Sequence, residues 1–91
     1  MRKEVLVMYS ADSLKFLKKL ETITAKRIVK KIKDNSEQKD VLSRAKALRG
    51  VLSGKYRYRI GDYRAIFIID EKGNLVLLTI LNIKHRKDVY R

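Results

Sequence analysis

Between Tyr56 and Asp70 the chain spells out a β-hairpin, and its turn constrains every side chain around it. Tyr56-Arg57-Tyr58-Arg59-Ile60 alternates with period two, Gly61-Asp62 supplies a turn, and Tyr63 to Asp70 is rich in β-branched and aromatic residues. A glycine-first dipeptide between strands reads as a two-residue loop. Ile60 then pairs with Tyr63, and Arg59 lies directly opposite Arg64 on the same face. Arg57 joins them by alternation, so three guanidinium groups share one side. A three-residue loop would break this arrangement.

The same logic at the Lys72-Gly73 turn pairs Asp70 with Leu75. It gathers Tyr58, Ala65, Phe67, Ile69, Val76, Leu78 and Ile80 on the other face, which is apolar and should receive helices. The arginine face continues into Ile66, Ile68, Leu77, Thr79 and Leu81, a cationic end running into an apolar strip. Like charges directly across strands are destabilising. Such a cluster makes sense if it meets a phosphate, to which arginine presents a fork of donors. Otherwise the arginines splay into water or pair with Asp62, Asp70 or Asp88. The apolar strip is covered by the protein's own termini or serves as a docking surface.

Val5 to Tyr9 is a short apolar run of strand character, and Ser10, Asp12 and Ser13 are each suited to cap a following helix. Leu14, Leu17, Leu20, Ile23, Ile28, Val29 and Ile32 recur at roughly helical spacing, with lysines between them. Two amphipathic helices broken near Glu21 to Thr24 fit best, and these apolar residues are expected to be core. Asp34 to Asp40 is polar and should hold the helix exit. Val41 to Leu48 is expected to form a short helical turn before Arg49-Gly50. Leu75 to Ile83 is a third strand-like run. The expected architecture is one α+β domain over residues 1–91: an N-terminal strand, two amphipathic helices, then an antiparallel β-meander.

The 23 Lys plus Arg against 10 Asp plus Glu, a formal charge of +13, oppose compaction by self-repulsion and point to a polyanionic partner. Charge alone does not separate RNA, DNA, an anionic membrane or an acidic protein. Without cysteine there is neither a disulfide framework nor a thiolate metal site, and one histidine makes a zinc site improbable. No apolar run approaches a membrane span, and the charged start Met1-Arg2-Lys3-Glu4 does not read as a signal peptide. The expectation is a cytoplasmic protein without metal, cofactor or membrane partner.

Leu48-Arg49-Gly50, Leu52-Ser53-Gly54 and the run from Tyr56 to Arg64 resemble the signature of the RelE/ParE toxin superfamily: a leucine-glycine step, a basic strand and a glycine-x-tyrosine-arginine turn. The ending His85-Arg86-Lys87-Asp88-Val89-Tyr90-Arg91 is similar to that family's closing His-Arg-x-x-Val-Tyr motif. The order of elements also matches its compact, microbial-RNase-like fold. The resemblance to the nucleolytic, RelE-like branch implies a toxin that cleaves messenger RNA in the ribosomal A site, by attack of a 2′-hydroxyl on the adjacent phosphate. It implies catalytic roles for Arg57, Arg59, Arg64, Arg86 and Tyr90, with positive charge stabilising the phosphorane and an aromatic ring stacking on a base. Lys55, Lys84, Lys87 and Arg91 would contact RNA and ribosome. It also implies a cognate antitoxin, which would neutralise the basic site and cover Ile66, Ile68, Leu77 and Leu81.

This chain departs from the pattern in two ways. Some members carry lysine on the signature strand, where neighbouring positive charge lets an amine act as a base; arginine stays protonated. A base here would be His85, Lys55 or Tyr90, and imidazole ordinarily titrates near neutrality. Second, the sequence stops at Arg91 where many relatives continue into a helix. Two other functions suit the same features. A ParE-like gyrase inhibitor needs no catalytic cluster, and a non-catalytic RNA-binding module would bind with steep salt dependence and cut nothing.

Overall fold

The computed structural model describes residues 4–89. Strand β1 (Glu4–Tyr9) leads into helices α1 (Ala11–Lys19) and α2 (Thr22–Ser36). Strands β2 (Ala45–Ala47), β3 (Tyr56–Ile60), β4 (Tyr63–Lys72) and β5 (Leu75–His85) follow, and a helical turn closes at Arg86–Val89. The five strands form one sheet in the order β1-β5-β4-β3-β2. The α+β architecture is thus the expected one: β3, β4 and β5 form the antiparallel meander, and β1 joins it parallel to β5, so the sheet as a whole is mixed. Among the described residues no helix is long and apolar enough to cross a membrane.

Local chemistry sets the helix boundaries. Ser10 caps α1, its Oγ accepting the Ser13 N–H at 3.1 Å. Asp12 in the first turn and Lys18 and Lys19 in the last oppose the helix dipole. The chain leaves α1 at Leu20 with an extended backbone, and α2 begins at Thr22, close to the expected break.

The helices cover one face of the sheet. Tyr58, Ala65, Phe67, Leu78 and Ile80 are fully buried there, joined by Ile28 and Ile32 from α2 and Leu17 from α1. The Tyr58 and Phe67 rings lie 4.3 Å apart between centroids. Each large side chain removed from water in this way contributes about 1.5–3 kcal/mol. The Tyr58 hydroxyl donates to the Val41 carbonyl at 2.7 Å and so ties the segment after α2 to the core. Burial, aided by the nearby Asp40 carboxylate, pushes this phenol up to about 12.

Four expectations need correction. Leu14, Ile23 and Val29 are exposed rather than core, because a helix lying on a sheet buries a single stripe, which Leu17, Ile28 and Ile32 fill. Val41 to Leu48 forms no helical turn across its length. It makes tight turns at 41–44, and Ala45–Ala47 then adds to the sheet beside β3, whose outer backbone groups would otherwise lack partners.

The third correction is the β4–β5 turn, which lies at Gly73-Asn74, so Lys72 rather than Asp70 faces Leu75. Gly73 takes φ +58°, as Gly61 takes +59° in the first hairpin, which makes glycine the first turn residue in both. The strands are longer than expected but keep the same faces, since the pairing moves by an even number of residues. The fourth concerns β5, which bulges. Ile66 pairs with Asn82 but Phe67 with Ile80, leaving Leu81 as an extra residue.

Candidate functional site

The hairpin register is the expected one: Ile60 faces Tyr63, and Arg59 faces Arg64. On the next strand Lys84 pairs with Arg64. Three cations, Arg59, Arg64 and Lys84, therefore form one row across β3, β4 and β5. One step along, Lys46 of β2, Arg57, Ile66 and Asn82 form a second row on the same face. Adjacent strands lie about 4.8 Å apart, so each row holds its side chains within reach of a single phosphate and its neighbours. Arg57 and Arg64 are half-buried, whereas Arg59, Lys46 and Lys84 are exposed. Among the described residues no helix covers this side, since α1 and α2 pack on the other face.

Asn82 and Lys46 carry no assignment in the sequence reading. The signal for Asn82 is hidden by the bulge, since uninterrupted alternation from Leu77 through Thr79 puts Leu81, Ile83 and His85 on this face. In the structure Leu81 and Asn82 both fall to the outer side, after which Ile83 turns into the core and Lys84 joins the arginines. Asn82 Oδ1 is buried there without a hydrogen-bond partner among the described residues.

The remaining candidates separate into groups. Arg86 lies at the end of the sheet, held to the β3–β4 turn: its N–H donates to the Asp62 carbonyl at 2.7 Å, and its guanidinium stands 3.8 Å from the Asp62 carboxylate. Both partners of that ion pair are exposed, so it contributes little by itself. Lys87 follows, exposed, in the closing turn. His85 pairs with Tyr63 and so shares the helix-side face. Its ring meets Tyr63 edge-on at 5.2 Å, and Tyr63 in turn meets Phe16. His85 Nδ1 accepts the Lys87 N–H at 3.2 Å, which leaves Nε2 to carry the proton of a neutral ring. Lys55 stands just before β3, half-buried, with its N–H on the Leu52 carbonyl. Tyr90 and Arg91 lie outside the described residues.

Beyond the cations the outer face turns apolar. Ile66, Leu77 and Leu81 are half-buried, and Ile68 is exposed. The parallel β1 extends this strip, because Leu6 pairs with Leu77 and Met8 with Thr79, and both of these β1 side chains are about half exposed, at 51% and 50%. Contiguous exposed apolar surface of this kind marks an interaction site more often than it marks solvent.

A sequence model described as the ParE toxin of the type II toxin–antitoxin system parDE matches residues 7–90. No curated protein sequence is similar enough to match. Among solved structures, the chain is similar to the toxin–antitoxin complex RelBE2 from Mycobacterium tuberculosis, with 27% identity, 94% of each chain covered and a TM-score of 0.74. It also shares its fold with the archaeal RelE–RelB complex from Pyrococcus horikoshii, at 22% identity, TM-score 0.65 and coverage of 94% of this chain and 97% of that one. The intact RelBE complex from E. coli matches at 17% identity and TM-score 0.62, over 88% of this chain and 94% of that one. With the family model spanning nearly all of the described strands and helices, the chain belongs to the RelE/ParE superfamily of type II toxin–antitoxin toxins.

Proposed function

We propose that this toxin is a metal-independent endoribonuclease that cuts messenger RNA in the ribosomal A site and so inhibits translation. The observation that carries the reading is the row Arg59, Arg64 and Lys84 on an uncovered face, with Arg57 and Lys46 beside it. Placing like charges directly across strands costs stability, and an anion that develops extra charge during reaction returns it. In the reaction the 2′-hydroxyl oxygen attacks the adjacent phosphorus while its proton passes to a base. The phosphorane then expels the 5′-oxygen, which takes up a proton, leaving a 2′,3′-cyclic phosphate and a 5′-hydroxyl. Arg57, Arg59 and Arg64 hold the equatorial oxygens, and Arg86 approaches from the end of the sheet.

The base is an amine or an imidazole rather than a guanidinium. Lys84 is the amine in the cation row, and Lys55 precedes β3. His85, on the helix side of the pleat, reaches the same phosphate only around the end of the sheet. Tyr90 retains the role that the resemblance implies, stacking on a base; Lys87 and Arg91 contact ribosomal RNA.

The cognate antitoxin covers Ile66, Ile68, Leu77 and Leu81 together with Leu6 and Met8, using an amphipathic acidic segment whose charges meet the neighbouring cations. In vitro translation with purified protein, mapping new messenger ends against the A-site codon, tests the function. Cuts confined to programmed ribosomes support it. A second reading, inhibition of DNA gyrase, is favoured by the ParE description of the matching family model. Loss of supercoiling activity with intact messenger would select that reading instead.

A further inference from the structure

The Leu81 bulge decides which β5 residues meet the arginines. If the pairing of Phe67 with Ile80 continued without the extra residue, Ile83 would face Arg64 and Lys84 would face Tyr63 on the helix side. A bulge also releases a backbone group from the ladder, and here the Leu81 carbonyl finds its partner at the start of α1, beside the Ile80 carbonyl, which continues the parallel β1–β5 ladder. The Ser10 N–H donates to the Ile80 carbonyl at 2.9 Å, and the Ser10 Oγ donates to the Leu81 carbonyl at 2.5 Å. In a regular strand successive carbonyls point in opposite directions. These two point the same way, since one residue, Ser10, donates to both. Ser13, fully buried, places its hydroxyl 3.4 Å from the Ile80 carbonyl and 2.9 Å from the Ser10 carbonyl.

We infer that Ser10 and Ser13 are positioning residues of the cationic face, holding the Leu81 bulge that turns Asn82 and Lys84 toward Arg57 and Arg64. The clamp is a geometric claim about the fold, and its bearing on catalysis rests on the nuclease reading above. Ser10 performs two tasks with one oxygen: it accepts the Ser13 N–H as a helix cap and donates to Leu81 across the sheet. Burial of Ile83 draws the strand in the same direction, so the experiment must separate the clamp from the core.

Ser10→Asp makes that separation. An ionised carboxylate caps a helix as well as serine does but has no proton to give the Leu81 carbonyl. Ser10→Thr keeps both functions. The measurements are amide hydrogen exchange through residues 81–84, thermal melting, and binding of a short oligonucleotide lacking 2′-hydroxyls, which cannot be cut. In Ser10→Asp, exchange at Asn82 to Lys84 should rise about tenfold or more through local opening, while melting stays within a few degrees of wild type. Oligonucleotide affinity should fall by about threefold to tenfold as Lys84 and Asn82 leave the arginine rows. Ser10→Thr should restore both, and Ser13→Ala should give a smaller loss in the same direction.

Unchanged exchange at Asn82 to Lys84 in both Ser10→Asp and Ser13→Ala would overturn the inference, leaving core burial as the sole cause of the bulge. Faster exchange with unaltered oligonucleotide affinity would equally overturn the positioning role. Failure of the wild-type protein to cut ribosome-bound messenger would defeat the nuclease reading alone, because exchange and binding are read without turnover.

Discussion

Tyr58 and Arg59 are neighbours in β3 and face opposite worlds. Tyr58 is fully buried against Phe67 under the helices, whereas Arg59 is exposed in line with Arg64 and Lys84. The two faces of this sheet differ in what each residue does for the fold. On the covered face every large side chain adds about 1.5–3 kcal/mol of burial, while a like-charge pair across strands costs about 0.2–1 kcal/mol. The covered face outweighs the open one by a wide margin. A sheet of this kind can therefore carry an unfavourable cation cluster, provided that its other side is packed without gaps.

Substitutions that strike one face and spare the other are the way to test this division. The largest effect belongs to the covered face. Phe67→Ala should lower unfolding free energy by about 3–5 kcal/mol, measured by urea denaturation, through the cavity it leaves beside the Tyr58 ring and the Tyr56 ring, whose centroid lies 5.8 Å from that of Phe67. A loss below 1 kcal/mol would mean that the helix face is not the source of stability.

Arg64→Ala should do the opposite. It should fold and melt normally, yet lose about 3 kcal/mol of transition-state stabilisation, about two to three decades in single-turnover cleavage on the ribosome. Lys18→Gln, on the exposed side of α1, is the control and should leave cleavage almost unchanged while slightly reducing the salt dependence of binding. Equal losses in the two variants, tracking binding alone, would turn the arginine cluster into an adhesive surface.

The apolar part of the open face comes next. Ile68→Asp should weaken antitoxin binding by about 2 kcal/mol, some thirtyfold by calorimetry, with little change in the isolated toxin's melting, since Ile68 is already exposed at 37%. Undiminished affinity in the folded variant would move the antitoxin elsewhere.

The smallest effect returns to the covered face. Tyr58→Phe removes the bond to the Val41 carbonyl and should cost about 1 kcal/mol near neutral pH. The wild-type phenol binds its proton more tightly when folded, so its stabilisation is complete below the ordinary tyrosine range near 10. It is lost as pH rises through that range toward the folded value of about 12. The stability gap between Tyr58→Phe and wild type should therefore close with increasing alkalinity. A gap that widened would contradict the buried hydroxyl.

Much of this was legible because hairpins are local. The Gly61-Asp62 turn, the pairing of Arg59 with Arg64 and the membership of the apolar face follow from period-two alternation between residues a few positions apart. The helix cap at Ser10 is equally local. Less was legible wherever a residue's environment depends on distant chain. Leu14, Ile23 and Val29 have the spacing of core residues, but which helical stripe meets the sheet is decided by the sheet's position. Ala45–Ala47 has little strand character of its own and becomes a strand because β3 offers it a free edge.

Within the site the division is sharper still. From sequence alone came the arginine pair, the basic strand, the opposing apolar face and the family signature, all encoded within a continuous stretch whose turn chemistry permits few registers. The tertiary structure alone decided that Leu6 and Met8 lie beside Leu77 and Thr79, that Lys84 faces Arg64, and that Asn82 sits in the row of Arg57. Strand alternation is a one-dimensional rule, and it fails at the single residue Leu81. There the carbonyl is held by a serine hydroxyl 71 positions away in the chain, and a contact at that separation leaves no trace in local pattern. The bulge at Leu81 resets the parity of every β5 residue that follows.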